Sequence, residues 1–242
     1  QEFKFAGTIG AAVKYVAGVF YFYEDNITKA GQATGTPAGP MTLTCSAGLF
    51  GGGQVSCPTG QRGYSSFRDI RNTTESYAVY TQFDYDVTDR LTLVAGGRLT
   101  DEKKEVDLKP TSYGGMTTAD LVAAGIDTEL TASEFTPKLG INLQATDDVM
   151  LFASATRGFK AGGWNSRTAY IPEQFVPMEP ETTTSYELGL KSEWFERRLR
   201  VNLGAFLART DDLQLNFTTP GPIPGTALAT QTNAGDIEVK GV

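Results

Sequence analysis

The chain has 242 residues, 40% of them hydrophobic and 11% aromatic, with 27 glycines, two cysteines, no histidine and a net charge of −7. Its length suits one large β domain or two small ones. The negative charge argues against a nucleic-acid partner, because no basic stripe exists to neutralise phosphates, and the missing histidine removes Ser-His-Asp hydrolysis, histidine acid–base work and most zinc sites.

The apolar run at Val16–Phe22 falls far short of the about 20 residues that a membrane-crossing helix needs. A barrel strand needs only about 10, with every second one apolar. The chain reads as about nine strands in that style. The first lies near Glu2–Thr8, and a tight link leads to the second, Val13–Glu24, which is aromatic on both faces. A long Gly/Thr/Pro-rich connection, Asp25 to Thr73, carries Cys45, Cys57 and Gly51-Gly52-Gly53. The two cysteines, so close together in a polar loop, predict a disulfide formed in an oxidising compartment, the alternative being two unrelated thiols. Closing a loop of about a dozen residues contributes roughly 3 kcal/mol on the chain-entropy model. The glycine run lacks the Lys-Ser/Thr ending of a phosphate loop and reads as loop flexibility.

The third strand, Thr74–Thr88, shows the alternation best. Tyr77, Val79, Thr81, Phe83, Tyr85 and Val87 fall on one face; Ser76, Ala78, Tyr80, Gln82, Asp84 and Asp86 fall on the other. A greasy face opposite a charged one fits lipid on one side and a watery lumen on the other. Asp89-Arg90 turns into the fourth strand, Leu91–Val106; a medium loop with a helical stretch at Thr118–Ala124 follows. The fifth strand, Thr131–Thr146, turns at Asp147-Asp148 into the sixth, Val149–Lys160. A Gly- and Pro-containing loop leads to the seventh, Thr182–Phe195, and Glu196-Arg197 turns into the eighth, Arg198–Phe217. After a Pro/Gly loop at Thr218–Thr230 comes the ninth, Thr232–Val242.

Short turns alternate with long loops, so one end of the sheet is neat and the other is not. Bacterial outer-membrane barrels have short periplasmic turns and long extracellular loops, with aromatic girdles at the interfaces; Tyr85, Trp194 and Phe195 sit beside predicted short turns. Strands this long exceed the five or six residues usual in soluble sheets. The expected fold is therefore all-β, an antiparallel transmembrane β-barrel segment. A self-contained small outer-membrane pore and a soluble β-sandwich adhesin are the alternatives.

Three stretches then carry a family resemblance: Leu151–Asn165 (LFASATRGFKAGGWN), Phe135–Gly140 (FTPKLG) and Pro180–Lys191 (PETTTSYELGLK), joined by Asn233-Ala234-Gly235 with Ile237–Val242. Together they resemble TonB-dependent outer-membrane receptors. The resemblance implies a barrel of about 22 strands, an N-terminal plug and uptake energised by the TonB–ExbB–ExbD complex. It places the chain in the bacterial outer membrane, beside its lipid, and implies import of a scarce nutrient of the siderophore, vitamin or glycan class. Residues 1–242 show no plug, no coupling box and no terminal aromatic, and both ends lie inside strand patterns. The chain is thus expected to be the partial barrel of a longer protein.

Such a transporter needs no catalytic group and no cofactor. With no histidine and two cysteines, a soft-metal site also lacks ligands. The adjacent pairs Asp147-Asp148 and Asp211-Asp212 point to opposite faces of a strand or sit in a turn, which makes poor catalytic dyads. The candidate substrate-binding residues lie at the loop ends of the sixth and seventh strands: Arg157, Lys160, Trp164, Asn165 and Arg167. Arg and Lys suit an anionic chelate or sugar acid, and Trp can stack on a ring. The structural alternative pairs Arg157 and Lys160 with lumen carboxylates such as Glu187.

Overall fold

The computed structural model describes residues 1–33, 44–46, 54–56, 64–110, 116–165, 172, 175–220 and 227–242, with the backbone alone at 30–33, 44–46, 54–56, 64–68, 219–220 and 227–229. In chain order the elements are β1 (Glu2–Ile9), β2 (Val13–Ala33), β3 (Thr44–Ser46), β4 (Gln54–Ser56), β5 (Tyr64–Thr88), β6 (Leu91–Lys109), α1 (Thr118–Ala123), β7 (Glu129–Thr146) and β8 (Val149–Lys160). There follow β9 (Gly163–Trp164), β10 (Pro177–Met178), β11 (Glu181–Trp194), β12 (Leu199–Asp211), β13 (Gln214–Pro220), β14 (Ala227–Asn233) and β15 (Ile237–Gly241).

Nine of these form one antiparallel sheet in the order β1-β2-β5-β6-β7-β8-β11-β12-β15. Sequence neighbours are spatial neighbours, as in an up-and-down barrel wall. The two edge strands, β1 and β15, do not pair with each other, so the wall is open among the described residues. The links β1–β2, β5–β6, β7–β8 and β11–β12 are short and all lie at one end; the long connections all lie at the other.

The alternation is realised rung by rung. Tyr77 pairs with Tyr21 and Asp101, Val79 with Val19 and Leu99, and Phe83 with Tyr15 and Ala95. On this face the large apolar side chains are exposed: Val79 is 55%, Leu139 60%, Leu188 63% and Leu203 65% accessible. On the opposite face Ser76 and Thr100 are buried. A water-soluble sandwich would reverse that distribution, because burying apolar area stabilises by about 25 cal/mol per Å². Here the outward apolar face is the one that lipid covers. Among the described residues no helix is long and apolar enough to cross a membrane; the strands do the crossing.

Three expectations need correction. The connection predicted from Asp25 to Thr73 is much shorter, because β2 continues to Ala33 and β5 begins at Tyr64, the two pairing throughout. Beyond Tyr21 and Tyr77 the outward face carries charged side chains instead of apolar ones, so the lipid-facing alternation fades while the backbone ladder continues. Polar cross-strand contacts such as Arg71–Asp25 (2.6 Å) replace the lipid-facing pairs. Second, the eighth strand does not run to Phe217, nor does the ninth start at Thr232. The β12–β15 ladder ends near Asp212 (φ 55°) and Gly235 (φ 95°), and the chain leaves the wall as a separate hairpin, β13–β14. Left-handed backbone on both strands redirects the ladder. Third, the Glu196-Arg197 turn is wider than two residues: Phe195, Glu196 and Arg197 all have positive φ.

The predicted Cys45–Cys57 bridge lies outside the described residues, although the β3–β4 pairing sets the Cys45 backbone opposite Val55.

Candidate functional site

The inward face of the wall is a ladder of polar contacts. Lys14 donates to Asp86 at 3.0 Å, and Asp86 accepts from the Thr92 hydroxyl at 2.6 Å. Tyr80 donates to Glu2 at 2.7 Å. The Arg98 guanidinium lies 4.8 Å from the Phe20 ring centre and 5.8 Å from that of Tyr80, a cation–π arrangement. Lys138 reaches over Gly96 to donate to Gln82 at 3.2 Å. Lys191 sits 5.4 Å from the Phe152 ring centre. Side chains of both signs, mutually engaged, make a wall that water can wet.

At the long-loop end the inward face becomes apolar. Ile70, Val106 and Leu108 from β5 and β6 are buried with Leu121 of α1 and with Phe175; Met116, Ile126 and Trp164 pack against them. Leu121 and Phe175 are fully buried. The helix is short, so its ends matter. Thr117 caps it by a reciprocal box with Asp120. Hydrogen bonds from the Thr117 hydroxyl and N–H hold the Asp120 carboxyl below its ordinary pKa. Thr118 Oγ1 fastens α1 to β6, donating to Asp107 at 2.7 Å and accepting from the Leu108 N–H at 2.7 Å. The loops over the mouth thus form a packed lobe on the lumen wall.

The predicted site residues do not share one place in the structure. Lys160 falls on the inward register opposite Glu181 and pairs with it at 3.3 Å. Arg157 falls in the outward register. Beyond the last β7–β8 rung it reaches Glu134, of the inward set, at 3.6 Å. Ion pairing therefore holds for both cations, but Glu187 is not the partner. The register sets Glu187 opposite Ser154 and Phe206, far down the wall. The Trp164 ring packs in the lobe core, and its Nε1–H donates to the Asp127 carbonyl at 2.8 Å. Asn165 is buried. Arg167 lies outside the described residues.

Sequence reading missed a polar clasp beside them. Gln214 is buried; its N–H donates to Glu181 at 2.8 Å and its Nε2 to the Glu179 and Ala161 carbonyls at 3.0 and 3.2 Å. Asn233 donates to the Glu179 and Asp212 carbonyls and accepts from the Glu179 N–H at 2.8 Å. The clasp binds the base of the β13–β14 hairpin to the loop that carries Trp164. Its members are far apart in sequence, and only the kinks at Asp212 and Gly235 bring them together. Among the described residues, no group of three or more His, Cys, Asp or Glu could hold a metal ion.

Comparison with known proteins agrees with this architecture. The ferric-pyoverdine BN7/BN8 receptor of Pseudomonas putida is 30% identical over 145 residues, which is 58% of this chain and 16% of that protein. The ferric-pyoverdine 358 receptor of the same organism is 28% identical over 179 residues, 72% of this chain and 19% of that protein. The chain thus spans less than a fifth of the length of these curated relatives. The crystal structure of the ferric yersiniabactin uptake receptor FyuA from Yersinia pestis superposes with a TM-score of 0.68 at 17% identity, covering 98% of this chain and 30% of that one. The family model described as "TonB dependent receptor-like, beta-barrel" matches residues 1–242. An antiparallel wall that is apolar outside and hydrogen-bonded inside, matched end to end by that model, belongs to the TonB-dependent receptor β-barrel family of the bacterial outer membrane.

Proposed function

We propose that the receptor containing this chain imports a metal chelate of the ferric-siderophore class, drawing its energy from the TonB–ExbB–ExbD complex. The observation that carries the reading is the division of faces: apolar residues meet lipid, while charged and aromatic residues line the inner wall beneath a packed outer lobe. The relatives' names supply the substrate class; pyoverdine receptors recur among them. In this reading the work of the inner wall is binding and passage, in keeping with relatives that are named as receptors. The plug that such a barrel requires is assigned to sequence outside these residues.

Within the mouth, Lys160 and Arg157 are the proposed ligand contacts. Their side chains are 56% and 44% accessible, and each is held by a single carboxylate at more than 3 Å. An anionic chelate can compete for such pairs. Trp164 and Asn165 are assigned the holding of the loop, and Arg167 is the third proposed contact. The Cys45–Cys57 disulfide belongs to the same proposal; thiol labelling of the unfolded receptor should require prior reduction.

The test is uptake of radioactive iron by a strain deleted for the full receptor. Restored uptake with ferric pyoverdine-type chelates, abolished when TonB is also deleted, supports the reading. Unchanged iron uptake in the deletion strain, or a defect seen only with a vitamin or a glycan, overturns the substrate class.

A further inference from the structure

The wall divides at Phe135–Gly140. The β7–β8 ladder climbs from the short turn to Lys138 opposite Thr156 and stops there. Pro137, the next residue toward the mouth, has no N–H to give, and a proline belongs on the free side of a strand. Above it β7 stays paired with β6, from Pro137 opposite Gly97 to Glu129 opposite Glu105. The other strand, β8, stays paired with β11 as far as Lys160 opposite Glu181. Among the described residues, the Arg157–Lys160 end of β8 therefore has a strand neighbour on one side only.

Side chains close this seam. Arg157 meets Glu134 across it at 3.6 Å, a long contact with the arginine side chain 44% accessible, which holds little. Higher up, Trp164 reaches the Asp127 carbonyl. The link nearest Lys160 is Lys104. It stands on the inward register of β6, opposite Leu130, and its ammonium passes β7 to donate to the Gly162 carbonyl at 2.9 Å. Glu102, 3.2 Å away, steadies that ammonium. Gly162 has no latitude, because a β-carbon there would collide with the Met178 carbonyl. Lys160, Ala161 and Gly162 are thus gripped in succession by Glu181, Gln214 and Lys104. Glu181 and Gln214 belong to β11 and β13; of the three, Lys104 alone pulls from the β7 side.

We infer that Lys104 is a positioning residue: it holds the end of β8 against the other half of the wall and so sets where Lys160 presents its ammonium to the chelate. This rests on the reading of Lys160 as a ligand contact. A charged donor makes a stronger bond to a carbonyl than a neutral one, and no strand pairing across the seam stands in for it. Without Lys104 the Lys160 end is left to move with β11.

The test has two arms, both on the full-length receptor, with heat-modifiability on gels as the check of folding. In the purified, chelate-free protein, Lys104→Met should speed amide hydrogen exchange at 161–163 about tenfold, the effect of one lost charge-assisted hydrogen bond, while exchange in β11 stays slow. Lys104→Arg keeps the charge and its donors and should restore much of the protection. In cells supplied with radioactive ferric pyoverdine, Lys104→Met should raise the half-saturating concentration by a similar factor and lower the saturated rate far less. In a Lys160→Met background the same change should add nothing, since Lys104 acts through Lys160. Unchanged exchange at 161–163 overturns the inference whatever the ligand. Additive losses of affinity overturn it too, and make Lys104 a separate attraction for the anion. Wild-type uptake by Lys160→Met alone defeats the reading of the site instead, and the exchange arm still decides whether Lys104 holds β8.

Discussion

Gly18 and Tyr80 face each other across the β2–β5 ladder, and a β-carbon on residue 18 would lie 2.4 Å from the Tyr80 hydroxyl. The glycine is a seat for the ring. So placed, Tyr80 reaches Glu2 on β1 and flanks Arg98 on β6, linking four strands on the lumen side. Gly189 seats Phe152 in the same way, and Lys191 then lies over that ring.

Gly18→Val should therefore destabilise the wall by about 1–3 kcal/mol, the usual cost of overpacking. Urea unfolding of the full receptor in lipid vesicles measures it. Adding Tyr80→Ala should recover part of the loss, the approach of the added β-carbon to the Phe3 carbonyl at 2.8 Å remaining. Additive losses in the double variant would show that the seat does not matter.

Leu188 and Glu187 are chain neighbours on opposite faces. Arginine at the lipid-facing position, Leu188→Arg, should cost about 2–4 kcal/mol near the bilayer midplane. Glu187→Arg, facing water, should cost less than about 1 kcal/mol. The same vesicle unfolding assay separates them; equal losses would place lipid on the wrong face.

The outer lobe is a packing unit distinct from the wall. Leu121→Ala removes a fully buried side chain, a change that costs about 2–5 kcal/mol in well-packed cores. The loss should appear as faster amide hydrogen exchange at 116–126, while exchange in β7 and β8 stays slow. Trp164→Phe should keep much of the protection and Trp164→Ala should lose it. Ligand affinity should fall with protection, because Trp164 holds the segment that leaves β8 directly after Lys160, one of the proposed contacts.

Asp25 tests the wall above the membrane. Hydrogen bonding from Arg71 lowers its carboxyl pKa below the ordinary 3.8. A lowered folded-state value means stability that is fully present above 3.8 and lost as pH falls through the lower folded-state value. Amide protection at 25–29 and 69–72 should thus weaken in acid below pH 3.8 while the lipid-covered rungs hold. In Asp25→Asn the acid-dependent part should vanish, and a persistent acid effect would assign it to other groups.

The bilayer-crossing part of this protein was legible in the sequence because lipid imposes a strict rule on it. Every second residue must be apolar and every backbone group must find a partner in the next strand. That rule set the faces of Ser76–Thr88, the bounds of Val149–Lys160 and the side of the sheet on which the short turns lie. Above the membrane the rule lapses, so the extensions of β2 and β5 carried no periodic signal and read as loop. The site was less legible still. Arg157 and Lys160 could be seen as cations near a loop, but their carboxylate partners depend on the cross-strand offset, which no local pattern encodes. Trp164 reads as an exposed stacking ring until Ile70, Val106, Leu121 and Phe175, from four separate segments, close around it. Local alternation determined which face meets lipid; strand register and the kinks at Asp212 and Gly235 decided which side chains meet at the mouth, because those contacts are made between residues that the chain itself keeps far apart.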